Sequence, residues 1–276
     1  MDRNLTLPGG HEIVELPMGF RGLMPTVEVH VNGQGPFTFA IDTGGQGEAR
    51  LDTALVTRLG LTPDGTMQAS DGSSANTRTL ETLTIDTLSV GSLTFRQLTA
   101  LTRNYNESPN LPPIDGILCF NLFSDYLLTL DYPGKQVRLA KGELPPANGQ
   151  NVLDFAAPHG IAMLDLLVGN RKVPAHLDSG NLAGGVMLPE AVVQAANWAT
   201  EPVVVGKART VTSEIEIKRG ILQESIWLGQ YEQINPEVSF FPGLPVGNVG
   251  GQILSQFAIT FDQQNQRLAL ARGDGD

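Results

Sequence analysis

With one cysteine, Cys119, in 276 residues, the chain cannot form an internal disulfide, so its stability must come from a packed core. Positive charge is also scarce. Eighteen Lys and Arg face twenty-nine Asp and Glu, for a net charge of −11. That balance argues against nucleic acid as the main partner, because phosphate binding needs a basic face. No apolar run approaches the ~20 residues of a membrane-spanning helix. The opening Met1 to Gly10 has no apolar centre and does not read as a signal peptide. As it stands the chain is expected in the cytoplasm, or in the periplasm or outside the cell if a leader has been removed. His-Glu-x-x-His, Cys-x-x-Cys and Gly-x-x-x-x-Gly-Lys are all missing, so no metal and no cofactor is expected.

Glycine (31) and proline (18) are plentiful, hydrophobic residues make up 41% and charged ones 17%. This is a folded, turn-rich composition, and short Val/Thr/Leu/Ile runs predict an all-β chain with a few short helices. Thr26 to Val31 alternates, Asn32-Gly33 is a hairpin signal, and Pro36 to Ile41 runs back as a strand. Leu51 to Leu59 reads as a short helix stopped at Gly60. A Thr/Ser-rich β stretch follows, with Asp71-Gly72-Ser73-Ser74 as its best hairpin tip and Leu80 to Val90 continuing in period two. The compact block Ile114 to Tyr126 leads into a strand at Leu127 to Asp131, the turn Tyr132 to Lys135, and a strand at Gln136 to Ala140. Lys141 to Gln150, with Pro145-Pro146 and Asn148-Gly149, is the best linker.

The same order then returns. Ala162 to Val168 and Val173 to Leu177 are strands, Leu188 to Ala196 a short helix with Pro189 and Glu190 in its first turn. Thr210 to Ile217 and Gly220 to Leu228 form the β stretch, and Gly247 to Phe257 is a second closing block. Gly116 and Gly247, Ser124 and Ser255, Thr129 and Thr260, and Asp131 and Asp262 are each 131 positions apart. Such a repeat predicts two lobes, residues 1–145 and 146–276, related by a pseudo-twofold axis.

Two stretches organise these halves: Ala40-Ile41-Asp42-Thr43-Gly44-Gly45 and His176-Leu177-Asp178-Ser179-Gly180-Asn181. In each, a strand ends on Asp, a hydroxyl residue can tie down the turn, and Gly permits close backbone approach. A single Asp-Ser/Thr-Gly triplet arises by chance in roughly one chain of this size in ten. Two of them, one per repeat, point to a shared site where the halves meet.

Paired triplets with paired downstream blocks resemble the aspartic peptidases: bilobal as in pepsin, with short, disulfide-free lobes similar to the bacterial retropepsin-like proteins. The resemblance spans roughly residues 11 to 271. It implies an all-β fold with a substrate cleft between the lobes, and an endopeptidase acting on a peptide or protein, as a monomer. By the same resemblance Asp42 and Asp178 are the catalytic dyad, and Thr43 and Ser179 lock the turns together. Gly44, Gly180, Gly45 and Asn181 support the dyad, and Asp71, Gly72, Ser73 and Ser74 are candidates for a flap. Two carboxyls in hydrogen-bond reach share a proton, so one activates water while the other donates to the peptide carbonyl.

Gly45 and Asn181 stand where many family members carry Ser, Thr or Ala. Cys119 replaces the glycine that Gly250 keeps in the second block, and no Tyr or Trp lies between Thr62 and Thr94. These departures motivate an alternative, the same fold used without proteolysis, as a peptide-binding or partner-binding module or as an acid/base enzyme on a small molecule. His176 and Cys119 read as packing residues, Asp115, Asp131 and Asp262 as turn or solvent residues, and Arg272-Gly273-Asp274 as a solvated tail.

Overall fold

The structure, a computed structural model, describes residues 13–70, 77–107, 110–182, 184–209 and 214–273. Strand Met24–Val31 buries Val27, Val29 and Val31 and exposes Glu28 and His30, the alternation of a half-buried strand. Asn32 and Gly33, at φ 50° and 74°, turn it into strand Gln34–Asp42 with the left-handed backbone of a tight hairpin. That strand buries Phe37, Phe39 and Ile41 and carries Asp42 at its end. In the second half, Met163–Val168 pairs with Arg171–Leu177, which buries Val173, Ala175 and Leu177 and delivers Asp178.

The chain is mostly β, with three sheets. An eight-stranded sheet is built from strands between Gly19 and Cys119, and a nine-stranded sheet from strands between Met163 and Val249. In the first, Gln34–Asp42 runs parallel to Gly116–Cys119, with Asp42 opposite Cys119. In the second, Arg171–Leu177 runs parallel to Gly247–Val249, with Leu177 opposite Val249. Each Asp turn therefore sits beside its own closing block.

The six-stranded sheet takes three strands from each half, in the order Ile13–Pro17, Gln136–Ala140, Leu127–Asp131, Phe257–Asp262, Arg267–Arg272, Val152–Asp154. At its centre, repeat-equivalent Thr129 and Thr260 face each other across an antiparallel pair, their buried hydroxyls 2.9 Å apart. Antiparallel pairing of equivalent residues generates a local twofold axis. Fully buried Phe120 and Phe261 meet edge to face at 5.1 Å between centroids, so an aromatic contact also ties the first half to the second.

Four element boundaries correct the sequence expectation. The helix expected from Leu51 begins at Thr53, because Leu51 and Asp52 complete strand Ala49–Asp52, which pairs on both sides. Asp52 caps that helix by accepting from the Ala54 amide at 2.9 Å, as a preferred N-cap does. The helix expected over Leu188 to Ala196 shrinks to Glu190–Val193, since the Leu188 amide bonds to the Ser239 carbonyl of a neighbouring strand and Pro189 is the cap rather than a first-turn residue. Trp198–Arg209 is a long strand where none was expected, and it pairs with Glu214–Leu222. The strand expected over Gly220 to Leu228 is broken, its end Ile226–Leu228 pairing instead with Met163–Val168. The arms of the first hairpin pair from Gly65 opposite Thr82 to Ser70 opposite Thr77, while Asp71, Gly72, Ser73 and Ser74 lie outside the described residues. No helix among the described residues is long and apolar enough to cross a membrane.

Candidate active site

Each Asp turn closes on itself and reaches into the other. Gly45 and Asn181 amides donate back to the Asp42 and Asp178 carbonyls, both at 3.2 Å. Between the turns the exchange is reciprocal. Thr43 Oγ1 donates to the Leu177 carbonyl at 2.7 Å and accepts from the Ser179 amide at 2.9 Å. Ser179 Oγ donates to the Ile41 carbonyl at 2.7 Å and accepts from the Thr43 amide at 3.0 Å. Both hydroxyl residues are wholly buried, where hydrogen bonds are costly to lose.

This lock brings the carboxyls together. Asp42 lies against Gly180 of the opposite turn and Asp178 against Gly44, close enough for each carboxyl to act on the other. Gly44 and Gly180 amides donate to Oδ1 of their own Asp, each at 2.9 Å. A Cβ on Gly44 would sit 2.4 Å from Cγ of Asp178, and one on Gly180 2.4 Å from Oδ1 of Asp42. Only glycine allows each backbone to pass so close to the opposite carboxyl.

The electrostatics are unequal. Burial first, then the neighbouring Asp178 charge, lifts Asp42 from the ordinary 3.8 to about 7, against the smaller downward pulls of Arg50 and the Gly44 amide. Asp178 carries a second donor instead: Asn248 Nδ2 donates to its Oδ2 at 2.7 Å, and Asn181 Nδ2 donates to Asn248 Oδ1 at 2.7 Å. The Asn181 amide thus supports Asp178 through Asn248. Gly45 has no side chain, and a Cβ there would meet Asp42 Oδ2 at 2.9 Å and Cys119 Sγ at 3.2 Å.

Cys119 is fully buried, and burial pushes its thiol up to about 12, so it packs against the dyad as a neutral group. His176 is half-buried, with Nδ1 unpartnered among the described residues; burial lowers it, opposed by its backbone bond and by Asp178. Asp131 and Asp115 serve turns and backbone, accepting from the Gly134 and Thr38 amides. Asp262 also serves a turn, accepting from the Asn265 amide, and although buried it accepts from the Leu144 amide as well.

Residues 27–122 match the aspartyl protease family. Over this stretch, about a third of its length, the chain is similar to the aspartyl proteases. The matched stretch holds Asp42, Thr43 and the first closing strand, Gly116–Cys119, and ends before Asp178. No curated protein matches the chain. A surface hollow of about 470 Å³ lined by Leu153, Leu164, Lys172 and Trp227, among others, contains none of the Asp-turn residues and has no part in this geometry.

Sequence reading missed Asn248, Arg50 and Tyr105. Asn248 had a signal, because its repeat equivalent is Ile117, and a polar residue in an otherwise apolar closing strand marks a local demand. Arg50 was hidden by the helix expected from Leu51, since only on strand Ala49–Asp52 does it share a surface with Cys119 and Asp42.

Proposed function

We propose that the protein is an aspartic endopeptidase of two lobes, residues 1–145 and 146–276, that hydrolyses peptide bonds with the Asp42/Asp178 pair. The observation that carries this reading is the approach of each carboxyl to the glycine of the opposite turn, held by the reciprocal Thr43 and Ser179 bonds. Asp42, raised by burial and set close to the Cys119 thiol, is the acid. Asp178, accepting from Asn248 and Gly180, is the base.

In this assignment Asp178 takes a proton from a water held between the carboxyls, and the water oxygen bonds to the peptide carbonyl carbon. Asp42 gives its proton to the carbonyl oxygen. Collapse of the tetrahedral species returns a proton to the amide nitrogen as the C–N bond breaks. An extended substrate lies across the cleft as an added strand.

The test is cleavage of an unfolded protein near pH 5 by wild type, Asp42→Asn and Asp178→Asn. Each substitution is expected to lower kcat/KM by about 10³-fold or more. Undiminished cleavage by either variant overturns the dyad. Peptide binding without turnover by the wild type would favour the non-proteolytic use of the fold.

A further inference from the structure

We propose that Arg50 forms an anion subsite of the cleft and selects peptides with a carboxylate side chain close to the scissile bond. This rests on the peptidase reading and names a substrate class within it. Arg50 lies on strand Ala49–Asp52, opposite Ile117 of the closing strand, and is only partly buried. Its guanidinium touches the Cys119 thiol and the Tyr105 hydroxyl, and Nη2 donates to the Gln46 carbonyl at 3.1 Å. All three partners are neutral. Among the described residues no carboxylate forms an ion pair with Arg50, and Nε is buried without a partner.

A guanidinium held this firmly and left un-neutralised is unusual, because charges withdrawn from water are normally paired. Asp42, the acidic group that acts on it, is the dyad member that holds its proton up to about pH 7. Over the working range, therefore, Arg50 keeps a full positive charge facing the site.

The surrounding residues are fixed. The Tyr105 amide donates to Asp52 Oδ2 at 2.8 Å, and its carbonyl accepts from Arg21 Nη2 at 2.6 Å. Met24, Ala40, Ile114, Ile117 and Cys119 form an apolar cluster against the same tyrosine. Arg50 is thus a rigid planar donor on an otherwise apolar wall, the arrangement that binds a carboxylate with direction as well as charge. It is connected to Asp42 through the Cys119 thiol. Acting on both Cys119 and Asp42, it can meet a substrate side chain close to the cleaved bond.

The test uses short peptides identical except for Glu or Gln, the pair moved through the positions flanking the scissile bond, at about pH 6, where Glu is ionised. Cleavage is read with the wild type and binding with the full-length Asp178→Asn protein. At one of these positions Glu is expected to exceed Gln about tenfold or more in kcat/KM and in affinity. Arg50→Gln, in the wild-type and Asp178→Asn backgrounds, is expected to bring that ratio to about one, and Arg50→Lys to retain part of it. A ratio of one in the wild type, or a preference that survives Arg50→Gln, overturns the anion subsite while leaving the peptidase reading standing. A preference in binding without cleavage by the wild type does the reverse.

Discussion

Thr43 and Ser179 exchange the same bonds in both directions, yet the positions around them have traded sizes. In the first half the residue after the Gly is Gly45 and the closing strand ends on Cys119. In the second the residue after the Gly is Asn181 and the closing block has Gly250. A Cβ on Gly45 would press on Cys119 Sγ at 3.2 Å, and one on Gly250 would press on Asn181 Nδ2 at 2.9 Å. Each half thus has one side chain's worth of space beside its carboxyl, filled from opposite ends. The backbone lock keeps the halves equivalent, and the filler makes the carboxyls chemically different. A thiol gives Asp42 no comparable donor, whereas the Asn181–Asn248 relay delivers an N–H to Asp178.

The sharpest way to break this comparison is an amide at each position in turn. Asp42 holds its proton to about 7 when folded, against 3.8 ordinarily. Between those values the folded chain binds a proton that the unfolded chain has released, so stability is highest at low pH and is lost as pH rises through 7. The ceiling on this loss is on the order of 4 kcal/mol, reduced by the partial exposure of the carboxyl. Asparagine mimics the protonated acid. Asp42→Asn is therefore expected to melt close to wild type at pH 4 and above it at pH 8. Asp178→Asn behaves differently, because one amide oxygen cannot serve both the Gly180 and Asn248 donors: it is expected to lose about 1–3 kcal/mol at pH 4, a loss partly offset at pH 8, where the charge that helps hold Asp42 protonated is gone. Thermal unfolding of the three proteins decides it; matching pH responses of the two variants would remove the acid/base assignment.

The equivalence itself is tested by Thr43→Val and Ser179→Ala. Each removes a buried hydroxyl that donates to one carbonyl and accepts from one amide across the interface. Each is expected to cost about 2–3 kcal/mol in denaturant unfolding, with the two losses agreeing to about 1 kcal/mol. A marked inequality would mean that one turn carries the other.

The triplets, the repeat and the strands leading into Asp42 and Asp178 were legible because they depend on local patterns: period-two burial, Asn-Gly turn chemistry and a 131-residue spacing. Helix starts differ where tertiary pairing overrides local preference, as at Leu51, which the sheet recruits as strand, and at Leu188, whose amide bonds to the Ser239 carbonyl. Trp198–Arg209 was missed because Pro202 and Gly206 interrupt its pattern, and its pairing has irregular steps at those points. Within the site the triplets announced the carboxyls, but their asymmetry depends on contacts between segments far apart in sequence. Asn248 is 70 positions from Asp178, and Cys119 meets Gly45 only after the parallel pairing of Gln34–Asp42 with Gly116–Cys119.

The smallest expected effect isolates the thiol. Cys119→Gly gives the first half the glycine of the second and opens space next to Asp42. Burial is the leading cause of the raised Asp42 value, so admitting water there favours the carboxylate and lowers it. In the proposed mechanism Asp42 acts as the protonated acid, so kcat/KM is expected to fall as pH rises past about 7 in the wild type. In Cys119→Gly that alkaline limb is expected to move down by about one pH unit, with activity near pH 5 changing less. Adding Gly45→Asn fills the opened space with an amide, as Asn181 does opposite Gly250, and supplies an N–H on the Asp42 side, moving the limb in the same direction. Gly45→Asn without Cys119→Gly has no room against Sγ and is expected to destabilise the fold. An alkaline limb that stays near 7 in Cys119→Gly would show that something other than the thiol keeps Asp42 protonated, and the difference between the two turns would then lie wholly in the Asn248 donor.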